Sequence, residues 1–197
     1  MARHRARDAL GAKPRRQRSR RPRRSTVTRP HPTCARLIRA TVPVRPRSVA
    51  LAPDAQRKLG IELFNYVWTL LEKDDRSERE SDRMVAAAHA SRFFWEDVGE
   101  PVNHARGEWQ ISRAYATTGR SEPALYHARR CLEICEEHRI EGFDLAYAHE
   151  ALARAHALAG DTAVAARHAE GARAIALQVA DDEDRELVLS DLSTLPG

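Results

Sequence analysis

Four side chains able to bind a metal recur at helical spacing in the middle of the chain. His127, Cys131, Cys135 and His138 fall at i, i+4, i+8 and i+11. Imidazole and thiolate are the ligands of structural zinc, so the stripe raises the question of a metal site. One straight helix spreads the four over roughly 16 Å at ~1.5 Å per residue, so at most adjacent pairs can share an ion. The competing reading is core, since free cysteine is among the most buried residue types. His89, His104, His149, His156 and His168 lie in other helical stretches, and a bundle can gather such groups into a metal centre. The facing Glu-x-x-His pairs of a di-iron site do not occur; His104 and Glu108, one turn apart, are a metal pair or a hydrogen-bonded contact. No Gly-rich phosphate loop, G-x-S-x-G or H-E-x-x-H is found. A metal-dependent helical enzyme using His89, His104 or His127 is therefore carried as an alternative, and the expectation is no catalysis and no cofactor. Asp181, Asp182, Glu183 and Asp184 lack the glycine and ligand spacing of a calcium loop and fit the positive end of a helix. Phe94 and Trp95 read as packing residues; an anchor pocket for a partner is the other reading of that stretch and of Trp109.

These groups must be positioned by helices. From Pro53 onward the apolar residues follow a helical period, and the few prolines (Pro101, Pro123, Pro196) stand at helix starts or at the chain end. Helix A is expected over 53–73, with apolar residues on most of its circumference. Helix B covers 77–98, opened by the capping-box pattern Ser77-x-x-Glu80 and stopped by Gly99. Helix C covers 101–118 and ends at Gly119; helix D covers 121–139 with Ser121 as N-cap. Helix E covers 143–159 and ends at Gly160; helix F covers 162–180 with Asp161 as N-cap. A short helix G follows over 182–194.

Pairs C–D and E–F repeat at an offset of 41 residues. Arg113-Ala114-Tyr115-Ala116-Thr117-Thr118-Gly119 aligns with Arg154-Ala155-His156-Ala157-Leu158-Ala159-Gly160, Ala124 with Ala165, and Ala128 with Ala169. Glycine ends the first helix in a left-handed conformation, and small residues five and nine positions later let the second helix press against it. A unit of this kind cannot bury its face alone, so neighbours stack.

Ile111-Ser112, Tyr115, Gly119 and Ala124 in C–D, and Leu152-Ala153, Gly160, Ala165 and Ala172 in E–F, resemble the tetratricopeptide repeat. The unit is longer than that family's ~34 residues, the closing proline is missing, His156 stands for the aromatic, and Cys131 stands for a small alanine. The resemblance covers about 101–175 and extends loosely over 53–100. It implies an all-α solenoid of about three antiparallel helix pairs with a C-terminal capping helix over 53–197, a scaffold that binds a protein or peptide in a concave groove. First helices line that groove in such repeats, which places Arg106, Trp109, Gln110 and Arg113 of helix C on it, with Tyr147, Glu150 and Arg154 of helix E. Arg113 and Arg154 hold the same repeat position. Their guanidinium groups would clamp a carboxylate bidentately, or pair internally, Arg154 with Glu150 one turn away.

The charge is divided. Residues 1–50 hold 16 of the 33 Lys+Arg and one acidic residue, a net of +15, which leaves 17 basic and 27 acidic residues, a net of −10, in the remainder. Residues 1–52 join arginines to scattered prolines with few apolar groups and are expected to be a disordered basic tail. Three origins fit: a start codon placed too far upstream, so that part of the tail is not native; a nucleic-acid-binding arm, though no aromatic interleaves the arginines; or a transit peptide. Nucleic acid is thus a partner only through the tail. Three cysteines without a CxxC fit a reducing compartment. The lack of an apolar run of ~18 residues argues against a membrane span, so the expected location is cytoplasmic. Arginine and alanine usage fits a GC-rich, bacterial genome.

Overall fold

A computed structural model describes residues 51–196. The sequence expectations for the tail up to residue 50 lie outside the described residues. Within them the chain is all-helical, with seven helices and no strand: α1 Pro53–Leu71, α2 Glu78–Phe94, α3 Pro101–Thr117, α4 Ser121–His138, α5 Phe143–Leu158, α6 Thr162–Ala176 and α7 Asp182–Ser193. None of them is long and apolar enough to cross a membrane.

Local chemistry sets most of the ends. Pro53 and Pro101 open α1 and α3, where a missing N–H costs nothing. Ser77 Oγ accepts from Glu80 N at 3.3 Å and Glu80 Oε2 accepts from Ser77 N at 2.9 Å, which forms the box expected at the start of α2. Asp181 Oδ1 accepts from Asp184 N at 3.0 Å at the start of α7. Gly119 and Gly160 end α3 and α5 with φ of 74° and 85°. The reversed turns they make let Arg120 N reach Tyr115 O and Asp161 N reach His156 O, at 3.0 and 2.9 Å.

Several boundaries differ from the sequence expectation: α6, expected to run to 180, ends at Ala176, and α1, expected to run to 73, ends at Leu71. α2 stops at Phe94 instead of running to 98. The ladder tightens there, with Glu96 N donating to Phe93 O at 3.1 Å, three residues back, and the Trp95 carbonyl accepts from His104 Nε2 at 2.9 Å as well as from Gly99 N at 2.8 Å. Ser121 is the first helical residue of α4 and Arg120 the cap, without a side-chain bond. Asp161 caps α6 through its backbone alone, its carboxylate lying 3.2 Å from His156 Nδ1.

Each helix packs on the next through a short connection, which makes neighbours antiparallel. The odd-numbered helices also touch one another in order, α1 on α3, α3 on α5 and α5 on α7, whereas α2, α4 and α6 have no such contacts among themselves. Two apolar clusters result. Val67, Met84, Ala87, Ala88, Ile111 and Ala114 join α1, α2 and α3. Trp109, Ala128, Cys131, Tyr147, Leu152 and Val188 belong to the cluster that joins α3 through α7. α3 serves both, with Ile111 and Ala114 in one and Ala105 and Trp109 in the other.

Small residues set the helix separations. A Cβ at Gly60 would stand 2.7 Å from the Trp95 indole Nε1, so the ring lies directly on α1, and Ser91 Oγ donates to Gly60 O at 2.8 Å. Ala124 and Ala128 of α4 are fully enclosed, and Ser112 Oγ of α3 donates to Ala124 O at 2.9 Å. Ala165 is buried and Ala169 half-buried at the matching positions of α6. Ala165→Leu is expected to overpack the α5–α6 junction and cost ~1–3 kcal/mol, measured by denaturant unfolding. Ala169→Leu should cost less, because that site has room on its solvent side.

Candidate functional site

The odd-numbered helices enclose a cavity of about 430 Å³. Phe64 and Trp68 of α1, with Ala105 and Trp109 of α3, form one side. Phe143 and Tyr147 of α5 form the other, Cys131 of α4 contributes to the lining, and Leu187 of α7 closes over it. The aromatic rings make a continuous series. Trp68 and Trp109 stand 5.6 Å apart, Trp109 and Tyr147 5.1 Å, and Tyr147 and Phe143 4.8 Å, the last two edge to face. Trp109 is buried, yet its indole N–H has no partner among the described residues.

Carboxylates stand around this apolar wall. Asp144 accepts from Arg106 Nε and Nη2 at 2.6 and 2.9 Å, a bidentate pair that raises the arginine above its ordinary range. Asp191 of α7 accepts from Tyr147 OH at 3.0 Å on Oδ2 and from Arg113 Nη2 at 2.8 Å on Oδ1. Burial, then the Asp191 charge, push the Tyr147 phenol well above its usual range, so it stays a donor. Asp184, half-buried at the start of α7, has no ion pair among the described residues.

Behind the cavity lies a buried ionic network. Glu150 is fully enclosed. Its Oε1 accepts from Arg113 Nη1 at 2.9 Å and from Arg154 Nε at 2.7 Å, while Oε2 has no partner. Arg154 continues to α7, donating from Nη2 to Asp191 O and Thr194 Oγ1, both at 2.9 Å, and from Nη1 to Thr194 O at 3.2 Å. Burial works against the Arg113 charge, but Glu150 and Asp191 hold it above its usual range. The two arginines thus converge, as their shared repeat position implies, and they do so on one internal carboxylate.

The seven residues expected on the groove therefore have distinct places. Arg106, Trp109 and Tyr147 line the cavity. Gln110 is fully buried and donates from Nε2 to Phe64 O at 3.0 Å, tying α3 to α1. Arg113, Glu150 and Arg154 form the ionic network that fastens α7. Sequence reasoning missed Phe64, Trp68, Phe143, Asp144, Asp184, Leu187 and Asp191 as site residues. Trp68 stood among the apolar residues of α1, and its type was the available signal; Asp191 carried none, being 78 residues from Arg113.

Five of the seven histidines among the described residues lie in two ring clusters, His89 with His127, and His149 and His156 with His168, while His104 bonds to Trp95 O. His127 Nδ1 is 2.7 Å from Glu108 Oε2, Glu108 Oε1 accepts from Arg92 Nε at 3.1 Å, and His89 Nε2 is 3.0 Å from Tyr115 OH. His104 and Glu108 therefore do not pair. On the other face His149 Nδ1 is 3.1 Å from His168 Nδ1, and His156 stacks on His168 at 5.8 Å. Cys131 and Cys135 are free and buried, and the hydrogen bond with Cys135, then burial, push the Cys131 thiol up. Among the described residues no group of three or more His, Cys, Asp or Glu is placed to hold a metal ion.

Burial lowers the pKa of His89, His149 and His168, and neighbouring histidines lower His89 and His168 further. In the folded chain these groups bind protons less readily than when unfolded. Stability is then fully present above the ordinary histidine value of about 6.5 and falls as the pH drops below it. The thermal midpoint is expected to decline between pH 7 and 5. His168→Gln, which removes one of the three shifted groups, should make that decline shallower.

Compared with protein families, curated proteins and solved structures, the chain matches no family model, no curated protein and no solved structure. Sequence and geometry together define the class: an all-helical domain with an aromatic, acid-rimmed cavity on its odd-numbered helices.

Proposed function

We propose that this chain is a tetratricopeptide-like scaffold that binds an extended segment of another protein and performs no catalysis. Three antiparallel pairs, α1–α2, α3–α4 and α5–α6, stack as a solenoid with α7 as the cap, and the odd-numbered helices line its concave side. The observation that carries this reading is the cavity of about 430 Å³ bounded by Trp68, Trp109, Phe143 and Tyr147. Its size is that of a site for one or two side chains, and aromatic residues dominate binding hot spots. Arg113 and Arg154 act here as structural groups, since Glu150 and α7 already take up their donors. The free thiols fit a cytoplasmic setting.

The test is selection from a random peptide library displayed on phage, with the full chain immobilised. Enriched peptides should change the fluorescence of Trp68 and Trp109. Phe143→Ala should weaken them by about tenfold. Leu187→Ala, at an exposed position, should also weaken them with the thermal midpoint unchanged. A library that yields no enriched peptide, or peptides indifferent to both substitutions, overturns the proposal.

A further inference from the structure

We infer that the cavity selects a basic side chain, arginine or lysine, of the bound segment; the inference rests on the peptide-binding reading above. The lining carries Asp144, Asp184 and Asp191 against a single guanidinium, Arg106. Two of the three carboxylates are engaged on both oxygens, Asp144 by Arg106 and Asp191 by Arg113 and Tyr147. Asp184 is not. Its neighbours in sequence are already used, Asp181 as the cap of α7 and Asp182 in a pair with Arg185. What is left at the cavity is one half-buried carboxylate with no direct ion pair among the described residues, attracted only at longer range by Arg106, beside a wall of aromatic rings.

That combination complements an amphipathic cation. The methylene stem of arginine or lysine packs on apolar surface while the charged head seeks a carboxylate. Indole and phenol rings attract cations through their quadrupole, Trp most strongly. An acidic side chain would meet Asp184 beside two carboxylates whose arginine partners, Arg106 and Arg113, are already engaged. An uncharged aliphatic chain would fill the volume and leave Asp184 desolvated without a partner, which is unfavourable.

The peptides enriched on the full chain test this directly. A shared Arg or Lys is expected. Its replacement by norleucine should weaken binding to the wild-type chain by about tenfold, and much less to Asp184→Asn. Asp184→Asn keeps the backbone N–H that Asp181 caps but removes a charge from the positive end of α7, so its thermal midpoint is measured beside the binding. A consensus without a basic residue overturns the inference and leaves the peptide-binding reading standing. So does a norleucine peptide that binds as well as its parent, or a loss on Asp184→Asn that matches the wild-type loss. Failure of the library to yield any binder overturns both.

Discussion

Glu150→Ala is expected to destabilise the domain by about 3–5 kcal/mol. Glu150 has no exposed surface, and its Oε1 is the acceptor on which Arg113 and Arg154 converge. Removing it leaves two buried guanidinium groups facing each other across a void. The damage should extend to α7, because Arg154 is also the donor to Asp191 O and Thr194 O. Urea unfolding of the full chain measures the loss, and hydrogen exchange of the α7 amides should rise beyond that of α1. Arg113→Ala and Arg154→Ala should each destabilise by less, since each removes one of the two guanidinium donors on Glu150 and leaves the other. Replacing Glu150, Arg113 and Arg154 together by Met or Leu is expected to recover most of the stability, because desolvation of the three charges then disappears along with their attraction. If Glu150→Ala unfolds like the wild-type chain, the network is not structural, and the arginines are available for the carboxylate clamp that their repeat position allows.

Trp109→Ala is expected to cost about 3–5 kcal/mol, as large aromatic deletions in cores do. The ring is buried, stands against Trp68 and Tyr147, and belongs to the cluster that unites α3 with α5 and α7. Trp109→Phe should cost under about 1.5 kcal/mol, despite the loss of a polar group, because the indole N–H makes no hydrogen bond. Thermal and urea unfolding of the two variants give both figures. A Phe variant as damaged as the Ala variant would mean that the N–H does have a partner when the protein is in solution. Peptide binding measured on Trp109→Phe, which keeps an aromatic wall, then separates loss of recognition from loss of fold.

The number and order of the helices were legible because their signals are local. Pro53 and Pro101 open helices, Ser77 and Glu80 make a box, and Gly119 and Gly160 adopt the left-handed turn that their positions after apolar stretches imply. The expectation for the end of α2 failed because the ladder tightens before Gly99, where Glu96 N donates to Phe93 O, a change that no residue type in the stretch announces. The four-residue stripe from His127 to His138 is likewise divided by its surroundings. Cys131 and Cys135 enter the core, whereas His127 turns to Glu108 of α3.

The candidate site divides in the same way. The sequence by itself placed Arg106, Trp109, Gln110 and Arg113 on α3 and Tyr147, Glu150 and Arg154 on α5, because residues three and four apart share a helix face whatever the helix packs against. It also determined that the charge is split, with an acidic chain following a basic first 50 residues. Only the tertiary structure decided which of those side chains line a cavity and which are spent holding it together. That choice depends on Asp144, Asp184 and Asp191, and above all on α7. This helix returns over the odd-numbered face at a sequence distance where neither helical periodicity nor repeat spacing carries information. Periodicity fixes which face a residue is on; what that face meets is fixed by the other helices, and here it is α7 that engages the two matching arginines and leaves the aromatic wall lining a cavity.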